Sequence, residues 1–307
     1  SAPDVLTGKD GWLFYSGERV LEDLMGRLPL NSEQLAQLAA RIRDTRAWLA
    51  AKGISYLALV APDKQSIYPE YLPDFYRNAK GTTRLDQAVA ALNRDPATAI
   101  LDLRPVLLRN KEQRLYDKTD THWNQLGAYC ASREIVRAVA EHFPGEDFRT
   151  DFSVGALWRQ DPAGDLAQLS GRGETLSEMR PEVVTWLRAK EKELSPSLRK
   201  ILMLKQLDPY YTLRQDRKLR VLVLHDSFMN PMKLYLSESF GEVLYIWKYF
   251  DRNIENFLSR EVMDKVLAEF QPDLVIDEVV ERHLDWLLRG EGIGTVSASA
   301  GAEGTSY

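Results

Sequence analysis

Short apolar runs alternate with amphipathic segments along most of this chain. Apolar runs of strand length cover 54–60, 99–103, 220–224, 242–247 and 273–276. Apolar residues at helical spacing predict helices at 32–52, 85–92, 125–143, 231–239, 260–270 and 281–288. Strands that alternate with helices in this way predict βαβ units. We therefore expect an α/β fold with a mostly parallel central sheet.

The segment 144–216 interrupts this alternation. It is polar and broken by Gly and Pro, with one helical piece predicted around 182–192. We interpret it as an insertion or lid within a single domain that covers 1–289. The Gly/Ser/Ala-rich end at 290–307 predicts a disordered tail.

Composition and charge exclude several classes of protein. The net charge is −5 over 307 residues and no basic stripe is visible, so we expect no nucleic-acid partner. Cys130 is the sole cysteine, which excludes an internal disulfide framework and a multi-cysteine zinc site. No apolar run reaches the roughly 18 to 20 residues that span a bilayer. The chain starts at Ser1, as expected of a processed protein that has lost a targeting or anchoring segment.

The strongest candidate for chemistry follows the strand at 220–224. Ser227 lies where that strand gives way to a helix, and a hydroxyl in such a turn is exposed. Backbone N–H groups at the helix start can face a developing oxyanion. Asp and Ser are also common turn and N-cap residues, so a purely structural role is equally open for this segment alone.

Asp120 and His122 supply the partners that a serine nucleophile needs. Residues two apart in an extended stretch point the same way, so the carboxylate can orient the imidazole. Two other interpretations remain: Asp120 or Thr121 caps the following helix, or Asp-x-His is part of a metal site. A metal needs further ligands that the sequence does not place nearby, and we predict none. His225 adjoins Ser227 but points away from it in an extended strand end, so we expect it to shape the site.

Five sequence blocks resemble one enzyme family. The chain is similar to the SGNH-hydrolase-like polysaccharide O-acetyltransferases of the alginate O-acetyltransferase AlgJ/AlgX type, over nearly its whole length. The blocks are Gly8-Lys9-Asp10-Gly11-Trp12-Leu13-Phe14, Ala61-Pro62-Asp63-Lys64 through Tyr68-Pro69-Glu70-Tyr71-Leu72-Pro73, Thr119-Asp120-Thr121-His122-Trp123-Asn124, Asp226-Ser227-Phe228, and Pro272-Asp273-Leu274-Val275-Ile276 through Glu281-Arg282-His283-Leu284.

The resemblance implies a fold and a set of roles. The fold would be a three-layer α/β sandwich whose Ser-His-Asp triad occurs in circularly permuted order. Ser227 would be the nucleophile, His122 the general base and then acid, and Asp120 its orienting carboxylate. His225 stands where SGNH proteins usually have glycine. Substrate-binding or oxyanion roles are further implied for Tyr249, Arg252, Asn253, Asp63, Lys64 and His225, with a solvated loop or an ion pair as the alternatives.

The resemblance also implies an activity. Members move acetyl groups onto hydroxyls of an exported polysaccharide in the periplasm, without a cofactor, and a membrane-bound acyltransferase often supplies the acetyl group. The alternatives are a carbohydrate acetylesterase with the same triad and a non-catalytic polysaccharide-binding or scaffold protein. An inner-membrane anchor preceding Ser1 fits this setting. A polyanionic substrate would favour a basic groove, and a neutral glucan would favour exposed aromatics such as Trp158 and Trp186.

Overall fold

A computed structural model describes residues 4–148, 155–184, 187–203, 209–248 and 259–287. The strands are β1 Val5–Thr7, β2 Leu13–Tyr15, β3 Ser55–Ala61, β4 Leu101–Asp102, β5 Gly155–Pro162, β6 Ser177–Val184, β7 Lys190–Glu191, β8 Tyr210–Leu213, β9 Arg220–His225, β10 Glu242–Trp247 and β11 Leu274–Val280. The helices are α1 Val20–Leu24, α2 Ser32–Ala50, α3 Lys64–Ile67, α4 Asp74–Asn78, α5 Arg84–Leu92, α6 Arg104–Asn110, α7 Gln125–His142, α8 Asp165–Leu169, α9 Pro196–Met203, α10 Lys233–Ser239 and α11 Arg260–Phe270. Short 3-10 helices cover Lys9–Gly11, Pro69–Tyr71, Lys111–Gln113, Ser227–Met232 and Glu281–Leu287.

A seven-stranded sheet forms the centre of the described structure, in the order β4-β3-β11-β9-β10-β8-β7. The five strands from β4 to β10 run parallel, and β8 and β7 add an antiparallel edge. The predicted α/β fold with a mostly parallel sheet is confirmed. Because the central strands are parallel, the segments that follow them meet at one edge of the sheet.

Helices cover both faces of this sheet. Alternate side chains of β9 point to opposite layers: Val221 and Val223 pack with α7 and α10, whereas Leu222 and Leu224 pack with α2, α5 and α11. Both sets are fully buried, as expected for parallel strands with two covered faces. The sheet is therefore the middle of three layers, as the family resemblance implied.

Several predicted elements differ in the structure. The helix predicted around 182–192 is wrong, since β6 continues to Val184 and β7 occupies Lys190–Glu191. β11 extends beyond the predicted end at Ile276 to Val280, because its last residues continue to pair with β3. The segment after it is a 3-10 helix, and so is Ser227–Met232, where Pro231 precedes α10.

The segment 144–216 is distributed over several parts of the fold. Its strands β7 and β8 extend the central sheet, while β5 and β6 form a separate two-stranded hairpin. α8 packs on β2, with Leu13, Ala163, Leu166 and Ala167 forming a small buried cluster. The predicted tail at 290–307 lies outside the described residues. Among the helices of the described ranges, none is long and apolar enough to cross a membrane.

Candidate active site

Ser227 begins the 3-10 helix that follows β9. Asp226 caps this turn: its Oδ1 accepts the Phe228 amide at 2.9 Å, and its Oδ2 accepts the Val280 amide at 2.8 Å. Both carboxylate oxygens are thus used to fix the backbone, so Asp226 is a structural acid. Within the described residues, no protein acceptor takes the Ser227 N–H. That amide is available to a bound oxyanion.

The structure brings Asp120, His122 and Ser227 into one hydrogen-bonded line. His122 Nδ1 donates to Asp120 Oδ1 at 2.9 Å, and His122 Nε2 accepts from the Ser227 hydroxyl at 2.8 Å. The carboxylate therefore fixes the tautomer that leaves Nε2 free to take a proton from serine. Burial raises the pKa of Asp120, but hydrogen bonds from His122 outweigh it and hold the pKa below the ordinary value.

The Asp120–His122 segment is a turn and not the extended stretch that we expected. Asp120 Oδ1 also accepts the His122 backbone amide at 3.0 Å, which is the local bond of an Asx turn. The capping interpretation is wrong for Asp120 and Thr121, because Asn124 caps α7 through the amides of Leu126 and Gly127.

Lys64 holds this segment from behind. Its ammonium group donates to the carbonyls of Asp117 at 2.9 Å, Lys118 at 3.2 Å and Asp120 at 2.5 Å. The side chain is fully buried, which lowers the pKa of Lys64 to about 8, although the nearby Asp120 raises it. All three donor positions are engaged, so Lys64 supports the Asp120 segment from another strand end, and the substrate-binding or oxyanion role implied for it stays a prediction.

Asp165 places a second carboxylate beside His122, and sequence analysis did not identify it. Its Oδ1 accepts the Thr121 amide at 2.6 Å, and its Oδ2 lies 3.6 Å from His122 Nδ1. Burial and the negative charge of Asp120 both raise the pKa of Asp165. The sequence Gly164-Asp165 before Leu166-Ala167 is typical of the start of a helix. The position of α8 next to His122, however, depends on the tertiary fold.

The β5–β6 hairpin supplies further residues that sequence reasoning missed. Glu178 accepts the amides of Lys118 at 2.8 Å and Thr119 at 2.9 Å, and also the Thr119 hydroxyl. Arg180 lies 3.7 Å from Asp120 Oδ2 and 3.4 Å from Asp117 Oδ2. Burial raises the pKa of Asp117 to about 7, against the opposing charge of Arg180. The hairpin therefore fixes both the backbone and the electrostatics of the Asp120 segment.

An open cleft of about 790 Å³ gives access to the hydrogen-bonded line. One part of the cleft lining consists of Asp120, His122 and Ser227, together with Asn230 and Pro231 of the 3-10 helix that Ser227 begins. The hairpin forms a second wall, to which Arg159, Asp161, Arg180, Pro181 and Glu182 contribute. A cleft of this size is in the range that binds small ligands or part of a polymer.

Two other predicted site residues lie outside the cleft wall. Asp63 forms an ion pair with Arg282 at 2.5 Å, which is the alternative that the sequence left open, but the pair is buried and not at the surface. His225 is fully buried and its Nδ1 donates to the Asp226 carbonyl at 2.7 Å. Burial lowers its pKa to about 3, so the ring is neutral, and its side chain is not part of the described cleft lining. This hydrogen bond holds the backbone next to Ser227. Tyr249, Arg252, Asn253 and Trp186 lie outside the described residues.

Within the described ranges, a group formed by Asp120, His122 and Asp165 could also offer ligand atoms to a metal. One atom from each lies within 4.8 Å of the others. The two ring nitrogens of His122 are already used by Asp120 and Ser227, and a cation at Nδ1 would displace the proton that Asp120 accepts. The contacts of His122 therefore fit hydrogen bonding to Asp120 and Ser227 better than they fit metal binding.

The fold resembles several solved structures. The O-acetyltransferase domain of Pseudomonas putida AlgJ superposes with a TM-score of 0.57 at 19% identity, covering 97% of this chain and 96% of that one. Bacillus cereus PatB1 gives 0.60 at 16% identity, covering 91% and 96%. These likenesses establish the fold.

Sequence comparison adds the family. The chain is 24% identical over 180 residues to the protein named "Probable alginate O-acetylase AlgJ" of Pseudomonas syringae pv. tomato, covering 59% of this chain and 44% of that protein. The chain thus matches less than half of the length of this relative. The model of a family described as "SGNH hydrolase-like domain, acetyltransferase AlgX" matches residues 5–281. This chain belongs to that family of SGNH hydrolase-like domains.

Proposed function

We propose that the chain is an O-acetyltransferase that moves acetyl groups onto hydroxyls of an exported bacterial polysaccharide. The observation that carries the proposal is the hydrogen-bonded line from Asp120 through His122 to Ser227, which opens into a cleft. A serine so placed can be deprotonated at neutral pH.

The first half-reaction forms an acetyl-serine. Ser227 Oγ attacks the acetyl carbonyl while His122 Nε2 takes its proton, and the Ser227 amide donates to the developing oxyanion. The tetrahedral intermediate then collapses, and the leaving group departs with the proton that His122 returns. Asp120 stabilises the imidazolium formed in between.

The second half-reaction transfers the acetyl group. A sugar hydroxyl attacks the acetyl-serine while His122 Nε2 takes the hydroxyl proton. The bond to Ser227 Oγ breaks, and His122 returns the proton to the serine. The products are the acetylated sugar and the free enzyme, with no cofactor required. Water in place of the sugar would give esterase chemistry with the same groups.

We propose a periplasmic location and a membrane-bound acyltransferase as the source of the acetyl group. The support is the family membership and the name of the AlgJ relatives, which refers to alginate, a polysaccharide. Co-purification of the full-length protein with membrane proteins from its own cells tests the partner. Recovery of the protein in the cytoplasmic fraction would contradict the location.

Hydrolysis of p-nitrophenyl acetate tests the nucleophile. We expect Ser227→Ala and His122→Ala to reduce kcat/KM by about 10³-fold or more, and Asp120→Ala by a comparable factor, because the three groups act as a unit. Unchanged rates in all three variants would refute the triad. Arg137→Ala, on the exposed face of α7, is the matched control.

Mass spectrometry separates transfer from hydrolysis. An oligosaccharide incubated with the protein and an acetyl donor should gain acetyl groups, whereas loss of acetyl from a pre-acetylated oligosaccharide would support an esterase. A protein that binds sugar but reacts with neither acetyl esters nor serine-directed fluorophosphonates would be a binding or scaffold protein.

A further inference from the structure

The Ser227 N–H belongs to the peptide group that joins Asp226 to Ser227. In a trans peptide the N–H and the C=O lie in one plane and point in opposite directions, so a bond that fixes the carbonyl also fixes the direction of the N–H. The Asp226 carbonyl accepts from His225 Nδ1 at 2.7 Å and from the Met229 amide at 3.3 Å. The bond from His225 is the shorter of these two. The side chain of His225 therefore acts on the same peptide group that offers its N–H to the oxyanion.

The carbonyl partner of His225 Nδ1 defines the state of the imidazole. A carbonyl oxygen only accepts hydrogen bonds, so Nδ1 carries the proton. Burial lowers the pKa of His225 to about 3, so Nε2 is unprotonated at neutral pH. Nε2 is buried and has no hydrogen-bond partner among the described residues. The ring is thus a neutral donor whose N–H is directed at the Asp226 carbonyl.

Strand β10 holds the imidazole in this position. The ring centres of Tyr245 and Trp247 lie 6.1 Å and 5.4 Å from that of His225, and both contacts are edge-on. The backbone of His225 pairs with Trp247 in the parallel register, and its carbonyl accepts the Lys248 amide at 3.0 Å. Ring and backbone are therefore both fixed without a ligand. A donor that is oriented in advance needs no reorganisation during the reaction.

Strand β11 fixes Asp226 at other atoms. Glu278 Oε2 accepts the Asp226 amide at 2.9 Å, and Asp226 Oδ2 accepts the Val280 amide at 2.8 Å. These two bonds hold the position of Asp226, but neither of them acts on its carbonyl. The orientation of the following peptide plane therefore depends on the donors to that carbonyl, of which His225 is the closer.

We infer that His225 is a positioning residue for the oxyanion site, which acts through the Asp226 carbonyl on the Ser227 N–H. Its hydrogen bond holds the peptide plane with the N–H directed at the acetyl carbonyl oxygen. The same bond polarises the peptide group and strengthens the N–H as a donor. His225 takes no part in proton transfer. This inference rests on the proposed acetyltransferase function, because it requires Ser227 as the nucleophile.

Two variants separate the hydrogen bond from the packing of the ring. His225→Phe keeps an aromatic ring against Tyr245 and Trp247 and removes the donor. His225→Asn loses the ring and keeps a donor, since Asn Nδ2 takes the place of imidazole Nδ1. We expect His225→Phe to lower kcat for p-nitrophenyl acetate about tenfold at an unchanged KM, and His225→Asn to restore most of the loss.

His142→Phe is the matched control. His142 Nδ1 also bonds a backbone carbonyl, that of Ala138 at 3.0 Å, but on α7 outside the cleft lining. We expect this variant to keep the kcat of the unmodified protein. Circular dichroism and the melting temperature of all three variants establish that the fold is retained.

Binding of methylboronic acid gives a readout that a purely structural role would not move. The boron adds to Ser227 Oγ while His122 takes the serine proton, and the product is a tetrahedral boronate anion that resembles the reaction intermediate. We expect the Ki of methylboronic acid to rise in His225→Phe by the factor by which kcat falls, and to recover in His225→Asn. Unchanged kcat and Ki in a folded His225→Phe protein would overturn the inference. Equal losses in the two variants would also overturn it, because packing of the ring would then explain them.

Nuclear magnetic resonance of the unmodified protein decides the question if His225→Phe does not fold. With ¹⁵N-labelled histidine, we expect the His225 proton on Nδ1 at neutral pH and a shift of its resonance when methylboronic acid binds, while His142 stays unchanged. A proton on Nε2, or an Nδ1 resonance that methylboronic acid does not shift, would overturn the inference.

Failure of the inference differs from failure of the proposed function. If Ser227→Ala abolishes p-nitrophenol release while His225→Phe changes neither kcat nor Ki, the positioning role is wrong and the nucleophile stands. If p-nitrophenol release does not depend on Ser227, the proposed function fails.

Discussion

At the scale of single residues, local signals and long-range contacts contribute differently to the site. The sequence predicted that Asp120, His122 and Ser227 would meet, and the structure places them within hydrogen-bond distance. The Asp-x-His spacing and the strand before Ser227 are local, so sequence reveals them. Asp165 lies 43 positions after His122, and Arg180 lies 60 positions after Asp120, so no local pattern specifies their approach to the site.

The prediction at the scale of residues concerns Asp165, whose carboxylate lies 3.6 Å from His122 Nδ1. A negative charge there stabilises the protonated imidazole, which is the inactive form of a general base. Removing the charge in Asp165→Asn should shift the acid limb of the kcat/KM profile for p-nitrophenyl acetate to lower pH. At that distance in water-like surroundings the interaction between the two charges is about 1 kcal/mol.

The pH profile separates this effect from a structural one. Loss of the Thr121 hydrogen bond alone would lower the rate at every pH without moving the limb. Asp95→Asn is the control, since Asp95 is an exposed acid that pairs with Arg43 on α2. A limb that stays in place, or moves to higher pH, contradicts the assignment of Asp165.

At the scale of elements, α8 and the β5–β6 hairpin complete the site that the central sheet begins. Ser227 and the capping residue Asp226 follow the end of β9 in the central sheet. The Asp120 segment is held by hydrogen bonds from Lys64 on one side and to Glu178 on the other. Parts of the segment 144–216 therefore belong to the candidate active site. Sequence could locate the strands of the sheet by their apolar runs. It did not locate β6, because Pro181 lies in the middle of this strand and a proline inside a run argues against a strand, and because β6 packs on α7 outside the central sheet.

The start of α8 gives the element-scale prediction. A Cβ added at Gly164 would lie 2.5 Å from Asp120 Cβ and Oδ2, a distance that real Cβ atoms do not adopt. The φ of Gly164 is −77°, so close approach and not backbone conformation requires glycine there. Gly164→Ala should displace the Asp120 carboxylate and lower kcat for p-nitrophenyl acetate by about 10²-fold.

Gly145→Ala is the matched control, because a Cβ at Gly145 meets no atom within 4 Å. Circular dichroism and the melting temperature of both variants establish whether the fold is retained. Full activity in a folded Gly164→Ala protein would show that the Asp120 position tolerates displacement, and the role assigned to α8 would then be wrong.

At the scale of the whole molecule, buried ion pairs join distant parts of the chain behind the active site. Arg282, in the last 3-10 helix, pairs with Asp63 after β3 and with Glu18 before α1. Burial lowers the pKa of Arg282, but the charge of Asp63 outweighs it and holds the pKa above the ordinary value, so the guanidinium stays charged. The sequence indicated an ion pair at Asp63 as one alternative, but burial and the partner at Arg282 are properties of the folded chain.

Removal of one partner from this pair should destabilise the protein strongly. Asp63→Ala leaves the Arg282 charge buried with less compensation, and we expect the free energy of unfolding in urea to fall by about 3 to 5 kcal/mol. The double variant Asp63→Leu/Arg282→Met should recover much of this loss, since it removes both charges and keeps apolar volume. Arg137→Ala, which breaks exposed pairs with Glu134 and Glu141, should cost at most about 1 kcal/mol. If Asp63→Ala costs no more than Arg137→Ala, the buried pair does not hold the two ends of the fold together.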